Sequence, residues 1–168
     1  MERGMYNLCT VGVTGHRILE HEVKVIKSRM ASVLDQLRAE LVISGMAIGF
    51  DQLVCEVCVE KGIPFISAIP FDGQENAWVE SDRTNFYELL LKAKEIKVVS
   101  EGGFAKWKYL VRNKWIVDNS NILVSYLPSF RDSGTKHCVD YAVKNKVRTI
   151  NIGLDHPADT NSKILSYI

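Results

Sequence analysis

No apolar run in the chain approaches the roughly 20 residues that a membrane-crossing helix needs. The first residues, Met1-Glu2-Arg3-Gly4-Met5-Tyr6-Asn7, lack the apolar core of a secretory leader. Cysteine is sparse and scattered, at Cys9, Cys55, Cys58 and Cys138, and a chain of 168 residues needs no disulfide staple. Together these absences predict a reducing, cytoplasmic setting. Charge of one sign is missing too. With 21 Lys and Arg against 20 Asp and Glu, the net charge is +1, which gives no global attraction to nucleic acid or an anionic membrane, so neither is an expected partner. The P-loop, GxGxxG and GxSxG patterns do not occur, which removes three common enzyme readings. His21, His137 and His156 lack zinc-ligand spacing. Cys55-x-x-Cys58 has no second pair, and it sits among Leu53, Val54 and Val57, so it reads as core. No metal and no resident cofactor is expected.

What the sequence does have is alternation. Short apolar runs at 8–13, 41–44, 64–69, 96–100, 122–127 and 148–152 read as strands, each nearly continuous in apolar character, as parallel strands buried on both faces are. Between them the periodicity predicts helices over 19–40, 51–61, 79–93, 107–119 and 136–144. The first carries the stripe Val23, Ile26, Met30, Val33, Leu37, Leu41; in the fourth, Leu110, Ile116 and Val117 mark the buried side, with Asn113 close to it. Residues 153–168 read as a short tail with one helical turn. With no repeat, linker or low-complexity segment, the prediction is one Rossmann-like α/β domain over 1–168, a doubly wound, mostly parallel sheet of about six strands.

In such a sheet ligands bind beyond the carboxyl ends of the strands, where strand order reverses. Four loops carry suitable residues. The first is Thr14-Gly15-His16-Arg17, where Gly15 permits a sharp turn and Arg17 can fork onto a phosphate or carboxylate; its plainer reading is a polar turn with a solvated Arg. Without a carboxylate in its own stretch, His16 reads as a hydrogen-bonding contact rather than a catalyst. The second is Ser44-Gly45-Met46-Ala47-Ile48-Gly49-Phe50-Asp51, whose backbone could face a phosphate at a helix start; Asp51 either accepts from a ribose hydroxyl or caps its helix. The third is Pro70-Phe71-Asp72-Gly73-Gln74-Glu75 with Trp78, which either stacks a base or packs the next helix onto the sheet. The fourth is Asp132-Ser133-Gly134-Thr135, small hydroxyl-bearing residues before a helix. Within the fourth helix, Arg112 and Asn113 stand out, and Asn113 either ties the helix to a loop or touches ligand.

Taken as a set these loops resemble the SLOG superfamily, the Rossmann-like group that includes DprA, the LOG phosphoribohydrolases and YpsA-type proteins. The resemblance is closest to the YpsA-like branch of Gram-positive bacteria and their phages. It is carried by Val13-Thr14-Gly15-His16-Arg17, Ile43 to Asp51, Ile69-Pro70-Phe71, Gln74, Trp78, Arg112-Asn113-x-Trp115-x-Val117-Asp118 and Ser133-Gly134-Thr135. It implies binding of a nucleotide or nucleotide-derived small molecule, such as an ADP-ribose compound, by a homo-oligomer that senses or sequesters it. On that reading the amides of Gly15, 45–49 and Gly134-Thr135, with Arg17, hold phosphates, Phe71 or Trp78 flanks a base, and Asp51 or Asn113 binds ribose. Two alternatives accompany it. One is a nucleoside-phosphate N-glycosidase or ribosyltransferase using Asp51, Glu75 or Asp118 as the acid. The other is DprA-like binding of single-stranded DNA. LOG enzymes carry Pro-Gly-Gly-x-Gly-Thr-x-x-Glu, and aligning Gly134-Thr135 on it places Cys138 at the catalytic Glu. A thiol does not replace that carboxylate at neutral pH, so LOG-type hydrolysis is not expected.

Overall fold

The computed structural model describes residues 9–155 and 165–167. Chain order is β1 (Thr10–Gly15), α1 (Val23–Leu37), β2 (Leu41–Ser44), α2 (Phe50–Lys61), β3 (Phe65–Ile69), α3 (Glu80–Lys92), β4 (Glu95–Val98), α4 (Trp107–Asp118), β5 (Ile122–Tyr126), α5 (Gly134–Lys144), β6 (Arg148–Asn151) and β7 (Leu165–Tyr167). The sheet runs β4-β3-β2-β1-β5-β6-β7. Its first six strands in sequence are parallel, and β7 joins β6 antiparallel. The doubly wound α/β fold is therefore the one predicted. The tail departs from expectation: 165–167 is a strand, while 156–164, with His156, lies outside the described residues.

Side chains alternate along each strand, so the buried runs divide between two layers. Val11, Val13, Val42, Phe65, Ile69, Val124, Tyr126 and Ile150 pack with α1, α2 and α3 through Ile26, Met30, Val54, Phe50, Phe86 and Leu89. On the opposite face Ile43, Ala68 and Leu123 pack with Ile116, Val117, Cys138 and Ala142 of α4 and α5. Cys55 and Cys58 are fully buried in the first layer. The α1 stripe holds at Ile26, Met30 and Val33, but Val23 is exposed because it opens the helix at its solvated end, and Leu41 already belongs to β2. Leu110 is also exposed, where the sequence places it on the buried side of α4.

The first two strand-end loops are locked together by backbone. Phe50 N–H donates to the His16 carbonyl (3.3 Å), and His16 N–H donates to that of Tyr126 (3.2 Å). Gly49 has φ of 89°, and a Cβ there would strike the Arg17 carbonyl. Gly62, at the end of α2, has φ of 68° with open space around it. Gly62→Ala should therefore cost only backbone strain, about 1 kcal/mol, whereas Gly49→Ala adds a collision with main chain and should cost about 3 kcal/mol. Urea unfolding of the two variants side by side checks the difference.

Candidate functional site

Strand order reverses at β1, which is flanked by β2 on one side and β5 on the other. Register pairs Thr14 with Ser125 and Gly15 with Tyr126, so the loops leaving β1 and β5 open side by side. There a cleft of about 1040 Å³ is lined by Thr14, Gly15, His16, Arg17 and Ile18 from β1 and its loop, and by Ala47 and Asp51 from the β2–α2 connection and α2. Lys106, Trp107, Tyr109, Leu110, Arg112 and Asn113 come from α4 and its start; Arg131, Ser133, Gly134, Thr135 and His137 come from the approach to α5 and its first turn.

Asp51 is the one carboxylate among these residues, against Arg17, Lys106, Arg112 and Arg131. Its Oδ2 accepts from Ala47 N–H (3.3 Å), while Oδ1 is buried without a partner. Burial raises the Asp51 carboxyl to about 6, against the pull of Arg112, the Ala47 amide and Arg17. Asp51 does not cap α2, whose N-cap is Gly49. His16 is buried with both ring nitrogens unpartnered. Burial, aided by Arg131, lowers its pKa and favours the neutral ring, which offers one donor and one acceptor. Buried polar atoms left unmade cost about 1–3 kcal/mol each. Here a ligand entering the cleft could satisfy them.

At α5, Ser133 Oγ accepts from Lys136 N–H (3.1 Å). The amides at the helix start, Gly134 and Thr135, have no intrahelical acceptor and suit an anion. His137 pairs with Asp132 at the rim.

Arg112 is the structural member of the set. Its Nη1 donates to the carbonyls of Gly45 (2.7 Å) and Ala68 (3.1 Å), and its Nε donates to Asn113 Oδ1 (2.9 Å). A Cβ on Gly45 would meet that guanidinium. Gly45 and Gly49 are thus required by packing, and neither lines the cleft. Met46, fully buried at φ of 60°, is held by Gln52 Nε2 on its carbonyl (3.2 Å) and Ser44 Oγ at its amide (3.2 Å).

Of the residues singled out in the sequence, Thr14, Gly15, His16, Arg17, Ala47, Asp51, Arg112, Asn113, Ser133, Gly134 and Thr135 come together around the cleft. Ser44, Gly45, Met46, Gly49, Pro70, Phe71, Gln74 and Trp78 are not among the residues that line it. Gln74 Nε2 supports the Gly45 carbonyl (3.3 Å). Phe71 is buried edge-on to Phe104 and Tyr109, and Trp78 packs edge-on to Phe86 of α3, so neither ring lines the cleft. Glu75 accepts from the Tyr87 hydroxyl (3.1 Å) and Asp118 from that of Tyr141 (2.8 Å), both away from the lining. Cys138 is buried in the second core layer, where burial pushes its thiol up to about 12. Sequence reasoning missed Ile18, Lys106, Trp107, Tyr109, Leu110, Arg131 and His137. The available signal was the run Lys106-Trp107-x-Tyr109-Leu110, basic and aromatic at a helix start.

Because the folded-state pKa of Asp51 lies above its ordinary 3.8, folding favours the proton, and stability falls as pH rises through about 4 to 6. Asp51→Asn removes the buried charge. It should be more stable than the parent at pH 7, by up to about 3 kcal/mol, with the gap closing below about pH 4. Denaturant unfolding of both proteins across that range measures it.

A comparison of the sequence with curated proteins finds no match. Among solved structures, DprA from Streptococcus pneumoniae superimposes with a TM-score of 0.65 at 18% identity, covering 90% of this chain and 52% of that one. This chain thus spans about half the length of the pneumococcal protein. DprA from Helicobacter pylori, described for its single-stranded DNA binding mode, gives 0.65 at 18% identity over 90% of this chain and 67% of that one. A molybdenum cofactor binding protein from Rippkaea orientalis gives 0.58 at 15% identity, covering 86% and 76%. These likenesses establish a shared fold. Residues 12–153 match the family described as the YspA SLOG family, YpsA, and with most of its length so matched the chain belongs to that family.

Proposed function

We propose that the cleft binds a nucleotide or nucleotide-derived ligand, of the ADP-ribose type, and holds it without cleaving it. The observation that carries this reading is the convergence of buried, unpartnered polar atoms on a basic cleft: both nitrogens of His16 and Oδ1 of Asp51 beside Arg17, Lys106 and Arg131. Phosphate oxygens suit Arg17, Arg131 and the Gly134-Thr135 amides. A ribose diol suits Asp51 Oδ1, which lacks a donor, and His16. Trp107, 58% exposed at the cleft wall, takes the base-stacking part that the sequence gives to Phe71 or Trp78.

A second reading has its own observation. Exposed Trp107 lies in the cleft lining with Tyr109, among Arg17, Lys106 and Arg131, and aromatic rings interleaved with cations suit single-stranded nucleic acid. The near-neutral total that argues against nucleic acid in the sequence averages away this local excess of cations.

Titration calorimetry with ADP-ribose, NAD, mononucleotides and cyclic nucleotides should find binding to at least one. Arg17→Ala and Arg131→Ala should each weaken it about tenfold or more, as loss of a charge-assisted hydrogen bond does. Trp78→Ala should lower stability and leave affinity unchanged. No heat with any member of the panel at high micromolar ligand would sink the reading; free base appearing on a chromatogram during incubation would move the protein to the glycosidase alternative. Anisotropy of a labelled oligothymidylate should stay flat if the cleft serves small ligands alone. Salt-sensitive binding that free nucleotide displaces would favour the second reading.

A further inference from the structure

The two margins of the sheet differ. Beyond β6 lies β7, but beyond β4 no strand follows among the described residues. Lys94 N–H donates to the Phe65 carbonyl (2.8 Å), so the alternation of the strand turns the backbone groups of Glu95 and Lys97 away from β3. These are the open donors and acceptors of the edge. Ile96, paired with Ser67 in register, lies on the α3 side of the sheet and is 50% exposed. Val98 is exposed on the same side.

Helix α3 extends this surface. Its flank toward α2 is marked by Asn85, whose amide donates to Gln52 Oε1 (2.9 Å). At about 100° per residue, Tyr87 and Leu91 lie on roughly the opposite flank, over the outer margin of the sheet. Both are exposed, Leu91 at 88%. An open backbone edge is thus flanked by an apolar strip, the combination that isolated proteins normally cover or charge.

We propose that this margin is the contact between two copies of the chain, joined antiparallel along β4 about a two-fold axis at Ile96. The sequence is self-complementary in that register. Glu95 of one copy faces Lys97 of the other, and the reverse holds across the axis, so both pairs are of opposite charge. Glu95 and Lys97 are also the residues with outward backbone groups, so each such pair exchanges both its hydrogen bonds. Ile96 meets its own symmetry mate in the closer, non-hydrogen-bonded position. Continuing the sheet brings the two α3 helices side by side, which covers Tyr87 and Leu91. A register shifted by one residue sets Glu95 against Ile96 or Val98 and loses the charge pairing. This inference is independent of what the cleft binds.

Sedimentation velocity over a range of micromolar concentrations should give a reversible dimer for the parent. Glu95→Lys alone sets like charges opposite each other in both pairs, as does Lys97→Glu alone. Each should weaken the dimer by about tenfold or more. The double exchange E95K/K97E restores opposite charges and should recover dimer formation, which a merely damaged fold would not do; circular dichroism checks that all three variants keep the parent's structure. A monomeric parent at every concentration would overturn the proposal. So would a dimer indifferent to the single exchanges, or single losses that the double exchange does not repair.

Discussion

The guanidinium of Arg112 is the interaction on which the site depends. From α4 it reaches across the carboxyl ends of β2 and β3, satisfying the carbonyls of Gly45 and Ala68 and bracing Asn113. A cation so buried is expensive unless it is well hydrogen-bonded, and here Nη1 and Nε make three bonds to protein oxygens. Its position then dictates others. Gly45 has no side chain because the guanidinium occupies that space. Asp51, a buried carboxylate close by, keeps part of its charge at neutral pH because Arg112 opposes the effect of burial. The chain's crossover from β4 back to β5 is what carries Arg112 to this point, so the topology places the charge.

Much of this was readable from the residues. Strand runs apolar on both faces, glycines at strand ends and polar residues after them led to the doubly wound sheet and to more than half of the cleft lining. What escaped notice followed from two physical facts. Glycine marks a tight approach without saying what approaches: at positions 45 and 49 the neighbour is the protein's own Arg112 or the Arg17 carbonyl. Position after a strand makes an aromatic residue a candidate in the sequence, yet Phe71 and Trp78 are consumed by packing. Trp107 and Lys106, at the far end of a crossover, are brought to the cleft only by the turn of the chain across the sheet. Leu110 misled for a related reason. Its spacing belongs to the buried stripe of α4, but its side chain is half exposed and lines the cleft.

The cleft also shows stability set aside. His16 is pinned through its backbone on both sides while its ring finds no partner, and Asp51 keeps a carboxylate oxygen bare. A residue can be oriented tightly by main chain and left chemically unsatisfied at its tip; that combination preorganises recognition, because the ordering cost is met during folding. The strained Met46, clamped by Gln52 and Ser44, performs the same service for the Ala47 amide beneath Asp51.

The short strand β7 has a consequence for how large an assembly can become. A sheet with two equal open margins can add subunits at either side and grow without limit, as fibres do. Among the described residues the far margin ends on β7, a strand that runs against its neighbour β6, so the two margins of the sheet are not alike. Contact through β4 uses the same surface on both partners and therefore exhausts itself in one pairing. A contact of that kind yields a closed pair rather than a filament.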